Sequence, residues 1–355
     1  MTSRPSVYDK GPFLRVPEPF NMAAHTLAAV ARSADKVALE VLESPGRVAE
    51  AWRFGDLDTA VRGTLTGFRR AGIMPGDRVF LCLGSSVAFP LAFFALAGMG
   101  ALPVPISPQW TAGELERAAR DLHPVAAVGR PVPGARHIPK PALAEWRDLP
   151  PGDFAVTRPD DPAYIVFTSG TGGHARAVVH AHRAAWARRM MWRDWMDLRN
   201  SDRVLHTGAL NWTYTLGTGL TDPWAAGATA LIHAGPLAPA DWAPLIAAHR
   251  PTLFASVPGI YRQILQTAPR ADAFTSLRHG LSAGEALHPR IAADWRALTG
   301  VPVLEALGMS EVSTYASARP GRPVPVPQRG RRVAVLGTDG APVASGRIGD
   351  LAVSA

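Results

Sequence analysis

Apolar and polar positions along this chain switch between a helical and a strand period, and the switches outline its elements. Residues 56–71 carry Leu57, Val61, Leu65 and Phe68 on one side, the spacing of an amphipathic helix, and Gly72 with Pro75 and Gly76 stops it. Asn21 or Thr26 opens an earlier helix through Leu27, Val30 and Ala31. Residues 37–41 then predict a strand with 47–52 as its hairpin partner. Thr111, with Glu114 three positions on, is a capping-box start for a helix over 111–122. Further helices are predicted over 183–196, 241–249, 259–266 and 289–298, with strands over 252–257 and 301–304. Residues 332–336 and 348–353 are β-like, and Asp339–Gly340 is a hairpin signal. Residues 1–20, with four prolines, read as a surface arm, and the proline-rich stretch 131–151 as a surface connection.

Two segments share one plan. Gly76, Asp77, Arg78 and Val79 lead through an apolar helix to Gly100, Ala101 and Leu102; Ser201, Asp202, Arg203 and Val204 lead through Leu216 and Trp224 to Gly227, Ala228 and Thr229. A strand, a crossover helix, a Gly-Ala turn and a second strand make a parallel β-α-β unit, so the fold class is α/β with two parallel-sheet subdomains. Residues 79–113 contain no charge but are broken by Pro90, Pro103, Pro105 and Pro108, which predicts a buried helix and strand rather than a membrane span.

Composition narrows the classes further. The 355 residues are 47% hydrophobic and 19% charged, which suits a large buried fraction and more than one subdomain. The single cysteine, Cys82, sits in an apolar run and reads as a buried structural thiol; one cysteine cannot build an internal disulfide. The 37 basic residues against 29 acidic give +8, scattered in pairs such as Arg69–Arg70 and Arg188–Arg189 rather than in one tract, so nucleic acid is not an expected partner. The N-terminus has no charged-then-apolar leader pattern, and the expected location is cytoplasmic. The oligomeric state, a homodimer included, stays open.

Candidate chemistry concentrates after the apolar run Tyr164, Ile165, Val166, Phe167. There Thr168, Ser169, Gly170, Thr171, Gly172 and Gly173 form a hydroxyl- and glycine-rich loop before Val178 and Val179. Such a loop can turn backbone N–H groups toward an anion, so a polyphosphate cradle and a plain hairpin are both open on composition. It lacks the Gly-Lys-Ser/Thr triplet of the common nucleoside-triphosphatase loop. His180 and His182, two apart, are open to three readings: a metal pair, packed structural residues, or part of a ligand pocket. Trp186, Trp192 and Trp195 recur at helical spacing and read as packing, while Asp202 and Arg203 read as strand-edge residues paired to neighbours.

In order along the chain, the loop 168–173 with His174, Ala175 and Arg176, then Ser282 to Leu287, then Leu307 to Glu311, then Gly349–Asp350–Leu351, resemble the motifs of the adenylate-forming (AMP-binding) superfamily, of the acyl- and aryl-CoA ligase type. The resemblance implies a large N-terminal domain of two α/β subdomains sandwiching helices, with boundaries at 1–155 and 156–320, and a small β-rich subdomain starting over 321–355. It implies ATP, Mg²⁺ and coenzyme A as cofactors. The reaction it implies is activation of a small-molecule carboxylic acid to an acyl-adenylate, followed by thioester formation. By position, Thr168, Ser169, Gly170, Thr171, Gly172 and Gly173 would hold phosphates, Arg176 and Ser310 would act at the reacting phosphoryl group, and Glu311 would bind Mg²⁺. Gly284, Glu285, Ala286, Leu307 and Gly308 would line the nucleotide region. His180, His182, Trp212, Tyr214, Thr218 and Gly219 would line the acyl site, with an aromatic or medium-chain acid favoured.

Departures from the family pattern accompany the resemblance: Gly172 for a threonine, Ala175 for a proline, Arg176 for a lysine, and Leu307 for an aromatic residue that would stack on adenine. Arginine keeps the charge but offers a planar fork in place of a point charge. The chain stops at Ala355, before the family's hinge and its lysine-bearing C-terminal domain, so the resemblance also implies a shortened piece that is a weak catalyst alone. A nucleotide-binding scaffold or regulatory homologue with lost turnover is the second expectation. A carrier-protein adenylation domain is a weaker third, because no acyl-pocket aspartate appears over 211–215.

Overall fold

The computed structural model describes residues 5–9, 11, 14–168, 175–235 and 237–354. Among these, nine strands build the main sheet. From one edge to the other it runs Arg322–Pro327, Ser313–Arg319, Val303–Met309, His279–Ser282, Leu253–Ser256, Arg203–His206, Thr229–His233, Val37–Ser44 and Arg47–Arg53. The middle pairings are parallel and the edge hairpins antiparallel. A smaller parallel sheet orders Leu102–Pro105, Arg78–Leu81, Ala126–Val128 and Arg136–Ile138.

Both repeated units take the expected parallel geometry: Arg78–Leu81 pairs with Leu102–Pro105 and Arg203–His206 with Thr229–His233. Helices Phe54–Arg70 and Ala88–Gly98 lie between the sheets. Their apolar side chains join one core with Leu39, Val41, Ala230 and Ile232 of the large sheet and Val79, Leu81 and Val128 of the small one. Every residue of Ala88–Gly98 is buried, as a helix apolar all round must be. Among the described residues no helix is long and apolar enough to cross a membrane. The free Cys82 thiol is pushed up to about 11 by burial, in keeping with an inert structural thiol.

Local rules hold where they are strongest. Asn21 caps Met22–Leu27, and the Thr111–Glu114 capping box closes reciprocally at the start of Ala112–Leu122. Asp202 and Arg203 are paired as expected, to Arg278 and Glu40. The 183–196 helix instead breaks at Arg188 into Arg183–Ala187 and Arg189–Asp194. The arm contributes Val7–Tyr8 to a three-stranded sheet with Arg332–Leu336 and Asp350–Ser354. The hairpin Val37–Arg53 joins the large sheet through Thr229–His233, so the sheets do not divide at residue 155. Within the proline-rich connection, Arg136–Ile138 and Ala142–Trp146 are ordered as strand and helix.

Candidate active site

The apolar run ending at Phe167 forms the strand Pro162–Phe167, antiparallel to Ala177–Ala181, and the Thr168 N–H donates to the Arg176 carbonyl at 2.9 Å to close the ladder. This hairpin sets Thr168 and Arg176 at the rim of a cavity of about 430 Å³, within the range of small-molecule sites. Ser169, Gly170, Thr171, Gly172 and Gly173 lie outside the described residues, so the cradle itself carries no structural statement.

Two neighbouring strand ends of the large sheet supply the facing wall. Strand His279–Ser282 delivers Ala283 and Gly284, and strand Val303–Met309 delivers Gly308, Met309, Ser310 and Glu311. Gly284 has φ +98°, a conformation side-chain-bearing residues rarely adopt. The loop after it is fixed by Leu287, whose N–H donates to Glu305 Oε1 at 2.7 Å. Thr168, Arg176, Ser310 and Glu311 therefore face one cavity, with Arg176 and Glu311 exposed at its mouth.

The floor comes from the second crossover. Helix Thr213–Leu216 passes into the π-helical turn Gly217–Thr221 and then helix Asp222–Ala226. Trp212, half exposed, stands on the rim; Thr213, Tyr214 and Thr218 line the interior. The Tyr214 hydroxyl donates to the Leu281 carbonyl at 3.2 Å, and burial pushes its pKa well up, so it is a neutral donor. Its ring meets the buried His206 edge-on at 4.4 Å. Burial first, and the Arg188 charge second, hold His206 neutral with a pKa of about 3.

Arg188, at the helix break, reaches the same floor. Its Nε and Nη2 donate to the Asp222 carboxylate at 2.9 and 2.6 Å, Nη2 donates to Thr218 Oγ1 at 3.1 Å, and Nη1 donates to Ser313 Oγ at 2.5 Å. Burial pushes the Asp222 carboxyl up while the guanidinium and the Trp192 N–H pull it down. The bidentate fork is the geometry of an ionised pair. Ser313 sits at φ +61°, an uncommon left-handed conformation for a serine.

The remaining expected residues divide. His180, on the second strand of the hairpin, lines a neighbouring cavity of about 370 Å³, stacked on Tyr164 at 4.7 Å; burial lowers its pKa to about 4, with the Ser310 backbone and Glu311 acting the other way. Glu311, Arg188 and Ser313 form part of the wall between the two cavities. His182 lines neither: it is fully buried, and its Nδ1 accepts the Met22 N–H at 3.1 Å. Gly219 lies on the turn against His206 rather than on the cavity wall. Glu285, Ala286 and Leu307 are absent from the cavity lining, and Leu307 is 40% exposed beside a register shift in its strand pairing. Sequence reasoning missed Arg188, Met309, Ser313 and Thr314. None of the four carries a local signal: Arg188 shows only as half of the basic pair Arg188–Arg189.

Among the described residues no group of three or more His, Cys, Asp or Glu could hold a metal unaided. The donor set fits a hard cation shared with phosphate oxygens: one exposed carboxylate, Glu311, beside Ser310 and Thr168.

The sequence model of the family described as AMP-binding enzyme matches residues 27–355. A 3-hydroxybenzoate–CoA/4-hydroxybenzoate–CoA ligase from Thauera aromatica is 29% identical over 294 residues, covering 75% of this chain and 56% of that protein. A benzoate–CoA ligase from the same organism is 29% identical over 380 residues, covering 97% of this chain and 70% of that protein. The solved benzoate CoA ligase from Burkholderia xenovorans LB400 superposes with a TM-score of 0.84 at 24% identity, covering 94% of this chain and 71% of that one. The chain thus spans little more than half the length of the first of these relatives.

Proposed function

From the premise that this chain belongs to the AMP-binding enzyme family, we propose that it activates an aromatic or medium-chain carboxylic acid with ATP and passes the acyl group to coenzyme A. The observation that carries the reading is the single cavity into which Thr168, Arg176, Ser310 and Glu311 face, above a floor of half-buried Tyr214 and buried Thr218. Hydroxyl, cation and carboxylate at the mouth suit a metal-bound polyphosphate; the enclosed floor suits an acid kept from water. The aryl-acid substrates named for the relatives support the aromatic class.

In this reading a carboxylate oxygen of the acid displaces pyrophosphate from the α-phosphorus of ATP. The thiol sulfur of coenzyme A then displaces AMP from the acyl carbon, leaving a thioester. Mg²⁺, when bound, neutralises phosphate charge. Glu311 holds the cation, Thr168 and Ser310 donate hydroxyl hydrogens to phosphoryl oxygens, and the Arg176 fork offsets charge on the leaving pyrophosphate. Gly284, at its positive φ, and Gly308, packed against the Ser313 and Thr314 backbone, shape the chain along the nucleotide region. The reading places the protein in the cytoplasm, where both nucleotide substrates are available.

Acid-dependent exchange of labelled pyrophosphate into ATP, run with the full chain and a panel of benzoates, medium-chain and short-chain acids, tests it. Exchange driven by at least one aromatic or medium-chain acid is expected. ATP binding with no exchange for any acid would overturn it in favour of a nucleotide-binding protein without turnover.

A further inference from the structure

The floor of the cavity holds a buried cation that the phosphate chemistry does not use. Arg176 and Glu311 are exposed at the mouth, whereas Arg188 and Thr218 are buried. Nucleotide must enter from the mouth, so the reacting carboxylate of the acid lies there and its far end points to the floor. Room for the guanidinium is built in. A Cβ on Gly217 would lie 2.1 Å from the Arg188 guanidinium carbon, so only glycine lets the fork lie across the turn.

A guanidinium has five N–H hydrogens. Nε gives one to Asp222, Nη2 gives its two to Asp222 and Thr218, and Nη1 gives one to Ser313. One Nη1 hydrogen has no acceptor in these contacts, on a residue in the wall that this cavity shares with its neighbour. Such a donor, held by a buried carboxylate and two hydroxyls, is costly to leave unmatched and rewards a ligand that matches it.

We propose that Arg188 is a specificity-determining residue that selects acids carrying a hydrogen-bond acceptor, such as a ring hydroxyl, at the end remote from the reacting carboxylate. This rests on the ligase reading above. Asp222 already balances the guanidinium charge, so the class selected is a neutral acceptor rather than a second carboxylate. An unsubstituted ring leaves the Nη1 hydrogen facing apolar surface.

The test compares acids within each protein, so that an effect on folding or overall rate cancels. Pyrophosphate exchange is measured with benzoate, 3-hydroxybenzoate, 4-hydroxybenzoate and benzene-1,4-dicarboxylate. The wild type should favour the better hydroxybenzoate over benzoate by about 10- to 100-fold, the worth of one hydrogen bond to a charged group. In Arg188→Met/Asp222→Leu, which removes both charges together, the preference should fall to within about twofold. Should that variant fail to fold, Arg188→Lys keeps Asp222 paired but gives up the planar fork, and should lower the preference several-fold. A wild type indifferent to the hydroxyl, a dicarboxylate favoured over both hydroxybenzoates, or a preference undiminished in the folded variant would overturn the assignment while leaving the ligase reading intact. No exchange with any acid would remove the ligase reading itself.

Discussion

The two β-α-β units of this protein begin alike and spend their crossovers differently. Residues 88–98 of the first form one apolar helix buried on every side between the sheets. The corresponding stretch of the second is broken into helix, π-turn and helix, and buries Thr218, Thr221 and Asp222. One crossover is core; the other is the floor of the cavity. A π-turn forgoes regular i to i−4 bonding, and here it exposes Gly217 and Thr218 to the incoming Arg188. The strands fix the scaffold in both units, and the chemistry depends on how regular the crossover is allowed to be.

The largest expected effects break each crossover by its own mechanism. Phe94→Ala in the first should cost about 3–5 kcal/mol through the cavity it leaves. Asp222→Ala in the second should cost a similar ~3–5 kcal/mol, but through an uncompensated Arg188 charge. Denaturant titration gives both values. Adding Arg188→Met should restore part of the second loss, and no analogous partner should rescue Phe94→Ala. If the two losses respond alike to removal of Arg188, the distinction between the crossovers falls.

Glu311→Gln should separate the mouth from the scaffold. It should slow pyrophosphate exchange by about 10²–10³-fold, as expected for loss of one charge-stabilising group, while shifting stability by less than about 0.5 kcal/mol. A loss of stability as large as the loss of rate would make Glu311 structural.

Acid should act on the second unit first. The first unit contains no histidine, whereas burial holds His206 of the second near 3; outside both units it holds His25, His180, His182 and His279 near 4, against an ordinary value of 6.5. Their folded pKa values are depressed, so above pH 6.5 folded and unfolded states bind the same protons there. As pH falls from 6.5 toward 4, the unfolded chain gains protons that the folded one refuses, at up to about 1.4 kcal/mol per pH unit for each histidine. Hydrogen exchange between pH 7 and 4.5 should show protection lost in 203–233 before 78–105. The reverse order would contradict the burial argument.

The smallest effect lies outside the comparison and calibrates it. Thr111→Ala should cost about 1 kcal/mol through the lost capping box, with acid preference unchanged.

What could be read from the residues follows from the range of the interactions. The strand starts at Arg78 and Arg203 and the Thr111 cap are set within a few residues, and each forms as expected. The edge strand Arg322–Pro327 was hidden because Pro323, Pro325 and Pro327 argue against a ladder. At a sheet edge, alternate prolines can turn their missing donors outward. Arg188 was illegible because its partners Thr218, Asp222 and Ser313 lie 30, 34 and 125 residues away. The same holds for His182, whose capture by the Met22 backbone removes it from the cavity. Motif positions located the mouth of the site; only tertiary packing reveals its floor.

The most direct measurement is a crystal structure of the chain with a 4-hydroxybenzoyl-adenylate analogue carrying a sulfamate in place of the phosphate. The account predicts the nucleotide between Thr168, Gly284 and Ser310, with the ring between Tyr214 and Thr218 and its hydroxyl within hydrogen-bond distance of Arg188 Nη1. An analogue seated instead in the neighbouring cavity beside His180 and Tyr164, or a ring turned away from Arg188, would contradict it.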